Sequence, residues 1–270
     1  MSDYYAHVYL SPHLDDAVLS CGGIIRQQVR AGQRPLVITL FAGQPPGDVE
    51  LSAFAQSLHA RWGHPEGLIA ARWAEDQAAL AMLGADYLRL NYADCIYRGR
   101  RQAGRTGSSQ DPGWYYASEQ ALFGPVHPAE HGLPDELADT LNELVPFGDG
   151  LTLYAPLTVG NHVDHQLTYV AALSLRTRGW RVCLYEDYPY ARNQAALSAA
   201  LTARGIEHGR SSLIPLSEDD LAAKVQAIAC YHSQLQVLFG GVEAMAALAR
   251  DYISAVGGER LWWLDPVHTR

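Results

Sequence analysis

Within its first forty or so residues the chain reads strand, helix, strand, and no other feature constrains the fold as strongly. Tyr5-Ala-His-Val-Tyr-Leu10 is short and apolar with β-branched and aromatic members, the mark of a buried strand. Val18, Leu19, Ile24, Ile25 and Val29 then recur at roughly helical spacing, and Ala31-Gly32-Gln33 stops the run. Arg34-Pro-Leu-Val-Ile-Thr-Leu-Phe41 follows as a second buried strand. A unit this compact joins two parallel strands by a right-handed crossover.

The alternation continues. Leu51 to Leu83 reads as helix broken at Gly63-His-Pro-Glu-Gly67, its second part rich in helix formers and closed by Gly84. Asp86 to Tyr92 is a third strand, Pro134 to Val145 a helix, Leu151 to Pro156 a fourth strand, and Gln166 to Thr177 a helix. Arg181 to Asp187 is a fifth strand, a weaker strand pattern lies near Ser211 to Leu216, and Leu221 to Gln236 reads as one helix. The chain closes on Glu259 to Asp265. With no internal repeat and no linker, the pattern predicts an α/β fold. It is a single three-layer αβα domain over residues 1–270, built on a Rossmann-like, mostly parallel sheet.

Composition narrows the partners. A hydrophobic fraction of 48% with 18% charged residues is that of a soluble globular protein. A net charge of −9 argues against a nucleic-acid backbone. No run of about 18 apolar residues is present to span a membrane. Cys21, Cys95, Cys183 and Cys230 stand far apart and read as free thiols in a reducing compartment. The start lacks a basic segment followed by an apolar run, so the expectation is a cytoplasmic protein. Homo-oligomerisation is compatible with all of this.

The chemistry sits in the turn from the first strand to the first helix, Ser11-Pro-His-Leu-Asp-Asp-Ala17. Ligands of open α/β sheets bind at that edge. Asp15 and Asp16 repel each other, and partial burial would raise at least one pKa unless a cation compensated. An N-cap role explains one Asp but not the second, nor His13; a metal explains all three. His162-Val-Asp-His165 follows the fourth strand at the same edge, with its imidazoles at i and i+3 on one face. His13, Asp16 and one of these histidines make three N/O ligands with positions left for water and substrate, as in catalytic zinc sites. The third strand delivers Asp94 to that edge. From Cys95 to Phe123 the character changes, with Arg98, Arg100, Arg101 and Arg105 among Gly, Ser and Gln. This lid-like insertion is read either as a mobile basic loop or as a substrate lid.

The first motif resembles the His-Pro-Asp-Asp-Glu signature of the PIG-L/LmbE-like de-N-acetylases, and the second resembles their His-x-x-His. Arg72-x-x-Glu75 with Leu83-Gly84 is similar to the family's helix after the second strand, and Lys224 to Gln234 to its late Tyr-x-Ser-Gln helix. The resemblance implies a zinc-dependent hydrolase that removes the acetyl group from an N-acetylated amino sugar or sugar conjugate. It implies one Zn2+ per chain on His13, Asp16 and His165, with Asp15 as general base and His162 meeting the intermediate as imidazolium. Arg72, Asp94, Tyr97 and Arg98 become the candidate substrate contacts. Leu14 replaces the family's common Pro, and Ala17 replaces its common Glu, a possible support for the ligands.

Three other readings stand beside it. His13, Asp15 and His165 also fit the 2-His-1-carboxylate triad of a non-heme iron oxygenase. Gly22-Gly23 after a strand hints at a nucleotide-binding module, without the G-x-G-x-x-G spacing. The residues also suit a metal-binding protein without catalysis.

Overall fold

The computed structural model describes residues 5–45, 50–63, 67–99, 113–146, 150–206 and 210–264. In chain order, the first half comprises β1 (His7–Ser11), α1 (Asp16–Arg30), β2 (Pro35–Thr39), α2 (Ala53–Arg61), α3 (Leu68–Leu83), β3 (Asp86–Arg89), α4 (Glu119–Leu122) and α5 (Leu133–Leu144). The second half comprises β4 (Thr152–Pro156), α6 (Val163–Thr177), β5 (Arg181–Tyr185), α7 (Gln194–Ala203), β6 (Ser211–Ile214), α8 (Glu218–Ile228), α9 (His232–Phe239), α10 (Val242–Val256) and β7 (Glu259–Trp263).

The strands form one seven-stranded sheet in the order β3-β2-β1-β4-β5-β7-β6. From β3 to β5 every pairing is parallel, and β7 enters antiparallel between β5 and β6. Side chains alternate across the pleat. Val8 and Leu10 of β1 join Leu137 and Leu141 of α5 and Leu167 and Leu175 of α6 in one core. Tyr9 joins Val18 and Ile25 of α1, Leu80 of α3 and Ile228 of α8 in the other. The result is the helix–sheet–helix layering that the sequence predicts. A smaller cluster, in which Leu58 of α2 packs with Cys95, Ile96, Tyr116, Leu122 and Val163, roofs the loop edge.

Strand order is what places the site. The chain leaves β1 towards β2 and β3 on one side, then returns through β4 and grows outward on the other. The order reverses between β1 and β4, so the segments that follow these two strands diverge and leave a crevice. Both sequence motifs are those segments.

Three details differ from the sequence reading. The helix read from Leu221 to Gln236 is two, α8 and α9, because α3 pulls the intervening turn inward. The Tyr231 hydroxyl donates to Asp76 at 3.0 Å, and the Ser233 N–H and hydroxyl donate to Glu75 at 2.8 and 2.6 Å. Helices α7 and α10 lie where the sequence reading assigned nothing. Within 95–123, residues 100–112 lie outside the described residues, and with them Arg100, Arg101 and Arg105.

One buried charge pair ties the last strand to α8, and its carboxylate also reaches the first helix. Lys224 Nζ reaches Glu259 Oε1 at 2.5 Å, and the two side chains are each 2% exposed. The same carboxylate accepts the N–H groups of Gly23 and Ile24 at 3.0 and 2.7 Å. Lys224→Met removes the cation and leaves Glu259 charged in the core. Urea unfolding should show a loss of about 3–5 kcal/mol, the usual scale for a broken buried pair. A loss below about 1 kcal/mol would mean that the backbone N–H groups alone satisfy Glu259.

Candidate active site

The turn after β1 is held by its own polar groups. The Ser11 hydroxyl donates to the His13 carbonyl at 2.6 Å and accepts the Ala17 N–H at 3.0 Å. Asp16 opens α1, yet its Oδ2 turns back to accept the His13 N–H at 2.8 Å. Asp15 occupies the N-cap position and makes no side-chain cap hydrogen bond. Helix capping therefore accounts for neither carboxylate.

The loop after β4 is strained and clamped. Thr158 and Asn161 both adopt positive φ, 70° and 65°, and for a β-branched Thr this costs about 1–3 kcal/mol. Arg204, which caps the C-terminus of α7, donates through Nε to Thr158 Oγ1 at 3.1 Å, and the Val159 N–H donates to Asp187 Oδ2 at 2.8 Å. The loop hands over to α6 at His162, whose Nδ1 accepts the Asp164 N–H at 3.2 Å as a helix cap. His165 lies one turn further in.

Three histidines thus converge, with a ring nitrogen of each within 4.8 Å of the others. Their hydrogen bonds sort them. His165 turns Nδ1 to Asp187 Oδ1 at 2.6 Å, which leaves Nε2 beside Asp16 Oδ2 at 3.3 Å. His13 turns Nε2 to Asp164 Oδ2 at 2.9 Å, which leaves Nδ1 beside the same Asp16 oxygen at 3.2 Å. A carboxylate behind each ring fixes its N–H outward, the usual arrangement behind metal-binding histidines. His162 is the reverse. Its Nδ1 lone pair is spent on the Asp164 N–H, so the proton of the neutral ring sits on Nε2. The inward nitrogens of His13 and His165 and one carboxylate oxygen of Asp16 face each other, and the third ring offers a donor.

The electrostatics call for a cation at that point. Burial disfavours charge on His13, but hydrogen bonds to Asp16 and Asp164 overcome it and lift its pKa well above the ordinary value. For His165 burial is likewise outweighed, by Asp16 and then Asp187, and the pKa rises to about 10. Burial would raise Asp16, yet His165 and His13 hold its carboxyl well below the ordinary carboxylate range. Two protons are thus held in this cluster by surrounding carboxylates, and a divalent ion would replace such protons. His162 behaves oppositely: burial, then His13, push its pKa well below the usual value. That direction disfavours the imidazolium expected from the sequence. Asp15 is buried, and burial followed by repulsion from Asp16 raises its pKa to about 7, moderated by Arg72 with Nη2 at 4.0 Å.

These groups line a cavity of about 150 Å³ whose other walls include Leu58 of α2, Trp62 just after it, Phe123, and Val237 and Leu238 of α9. Arg72 and Asp94 reach it too. Arg72 is buried, and its Nε has no hydrogen-bond partner among the described residues. Asp94 Oδ2 lies 3.9 Å from His13 Nε2, while Oδ1 accepts the Ile96 N–H at 3.2 Å. Tyr97 and Arg98, expected as substrate contacts, do not line the cavity: the Tyr97 hydroxyl meets His59 Nε2 at 2.6 Å, and Arg98 is engaged with Glu130 and Asp164. The iron triad of the sequence reading is not the set that converges, since Asp16 rather than Asp15 lies between the histidines. Gly22 and Gly23 lie within α1, beside Lys224 and Glu259, away from any phosphate-binding turn.

Sequence reasoning missed Asp164 and Asp187. Each had a signal: Asp164 stands between the motif's two histidines, and Asp187 follows directly on β5 at the edge the motifs share.

The family model for PIG-L, GlcNAc-PI de-N-acetylase, matches residues 8–175, which contain both motifs. The chain is 30% identical over 199 residues to the 2'-N-acetylparomamine deacetylase of Niallia circulans, covering 70% of this chain and 68% of that one. A deacetylase from the biosynthesis pathway of teicoplanin superposes with a TM-score of 0.77 at 28% identity, covering 97% of this chain and 99% of that one. A zinc-inhibited form of the teicoplanin deacetylase superposes with a TM-score of 0.74 at 27% identity, again covering 97% and 99%.

The hydrogen bonds around the three histidines lead to a test by metal analysis. His13→Ala, Asp16→Ala and His165→Ala should each bind well under one divalent ion per chain, and His162→Ala should keep it. Equal loss in His162→Ala would make its Nε2 a ligand and overturn its assignment as a donor.

Proposed function

Because the chain belongs to the PIG-L, GlcNAc-PI de-N-acetylase family, we propose that it hydrolyses the acetamide of an N-acetylated amino sugar or sugar conjugate. The observation that carries this reading is the division of labour among neighbouring groups. His13 Nδ1, Asp16 Oδ2 and His165 Nε2 face one another, Asp15 stands beside them uncommitted, and His162 presents an N–H.

The donor set of two imidazole nitrogens and one carboxylate oxygen suits a divalent ion of the zinc class, one per chain, on His13, Asp16 and His165. Such an ion would supply Lewis acidity and bring water towards a pKa of about 7. The chain's own groups do the rest. Asp15 takes the proton of the attacking water as its oxygen bonds to the acetyl carbon. The His162 Nε2–H donates to the carbonyl oxygen as negative charge develops there. When the C–N bond breaks, Asp15 returns the proton to the departing amine, and acetate and the free amino sugar are the products. A pKa near 7 suits a group that must both take and give a proton. Arg72, whose buried Nε lacks a partner among the described residues, and Asp94 face sugar hydroxyls from the cavity wall. Trp62 and Phe123 offer apolar faces to the ring.

An acetate-release assay over a panel of N-acetylated amino sugars tests the reading. Turnover should be independent of oxygen, fall away with chelator and return with zinc. No acetate from any member, or oxygen-dependent turnover on iron, would overturn it. Asp15→Asn should retain metal and fold while kcat falls about 10²-fold or more. Metal loss in Asp15→Asn with metal kept in Asp16→Asn would reverse the two roles.

A further inference from the structure

Arg98 lies outside the cavity lining, yet it stands two side chains from a proposed metal ligand. Its Nη2 meets Asp164 Oδ1 at 2.6 Å, as a charge contact rather than an aligned hydrogen bond. The other oxygen of Asp164 accepts His13 Nε2–H at 2.9 Å and the Cys95 N–H at 3.1 Å. Asp164 is fully buried, and the Arg98 guanidinium is the counter-charge packed against it.

The guanidinium is itself held from several sides. Nε and Nη2 donate to Glu130 at 2.6 and 3.1 Å, and Nη1 donates to the Ala93 carbonyl at 3.0 Å. Glu130 also accepts the Tyr116 hydroxyl at 2.7 Å, and the rings of Phe41 and Tyr116 lie 4.8 and 5.6 Å from the guanidinium carbon. Only 11% of the side chain is exposed. The backbone at this point is the foot of the 95–123 excursion: the Arg98 carbonyl accepts the Tyr115 N–H at 3.0 Å, and Gly99 pairs with Trp114. Glu130, Arg98, Asp164 and His13 form one continuous chain from that foot to the ring that faces Asp16.

We propose that Arg98 is a positioning residue for His13, acting through Asp164, so that the foot of the excursion sets the orientation of a metal ligand. The proposal rests on the reading of His13 as a ligand. Loss of the guanidinium leaves Asp164 without its counter-charge. The carboxylate is then free to turn, and the hydrogen bond that holds His13 Nε2–H outward weakens. His13 becomes free to offer the wrong nitrogen.

The test measures zinc affinity by competition with a chromophoric chelator, and the visible spectrum of the cobalt(II)-loaded protein. Arg98→Met should weaken zinc binding about 10- to 100-fold, the scale for removing a group behind a metal-binding histidine. Arg98→Lys, which keeps the charge but cannot fork between Asp164 and Glu130, should weaken it roughly three- to tenfold. Both should alter the cobalt spectrum. If Arg98→Met does not fold, Arg98→Lys decides alone. A lower unfolding temperature of the metal-free variants, with unchanged zinc affinity and cobalt spectrum, means that Arg98 only packs, and overturns the proposal. Wild-type protein that binds no zinc fails the metal-site reading instead, so the two failures are distinguishable.

Discussion

The centre of this protein depends on pairing each of two converging histidines, His13 and His165, with a buried carboxylate behind it. Asp187 stands behind His165 and Asp164 behind His13, and each is almost wholly shut off from water. A buried carboxylate is costly alone, and these two are stabilised by the donors they orient. Asp187 also accepts the Val159 N–H, and Asp164 also answers to Arg98 and the Cys95 N–H. The rings are thus locked in direction by groups that have other obligations in the fold.

His162 shows what happens where such a carboxylate is missing. Its Nδ1 caps α6 instead, and one ring in the same motif is turned from acceptor to donor. The difference between the two proposed roles, ligand and oxyanion partner, lies in which backbone or side-chain group owns the far nitrogen. The strained loop at Thr158 to Asn161 sets this up, because it delivers His162 at the cap position and His165 a turn deeper.

Much of this was legible in the residues. Strand–helix alternation gave the parallel sheet, and Ser11 to Asp16 with His162 to His165 marked the crevice, because both follow strands at one edge. What escaped was long-range. The break between α8 and α9 comes from Asp76 and Glu75 on α3, which no local pattern of helix formers reveals. Arg98 read as a substrate contact because an arginine beside a Gly/Ser-rich stretch looks solvated, and its partners Glu130 and Asp164 lie 32 and 66 positions further along. The protonation of His162 depends on a cap geometry that sequence spacing does not encode. The antiparallel entry of β7 likewise follows from packing at the end of the sheet.

The reversal of strand order between β1 and β4 has a consequence for folding as well as for chemistry. His13 and Asp164 are 151 positions apart, and the two halves of the site belong to opposite wings of the sheet. In the unfolded chain these groups seldom meet, since closing so long a loop is entropically unfavourable. An ion gripped by both wings would therefore act as a clasp, binding the native form and ignoring the unfolded one. Its affinity would then add to the fold's resistance to opening, and the seam between β1 and β4 would be the last to part.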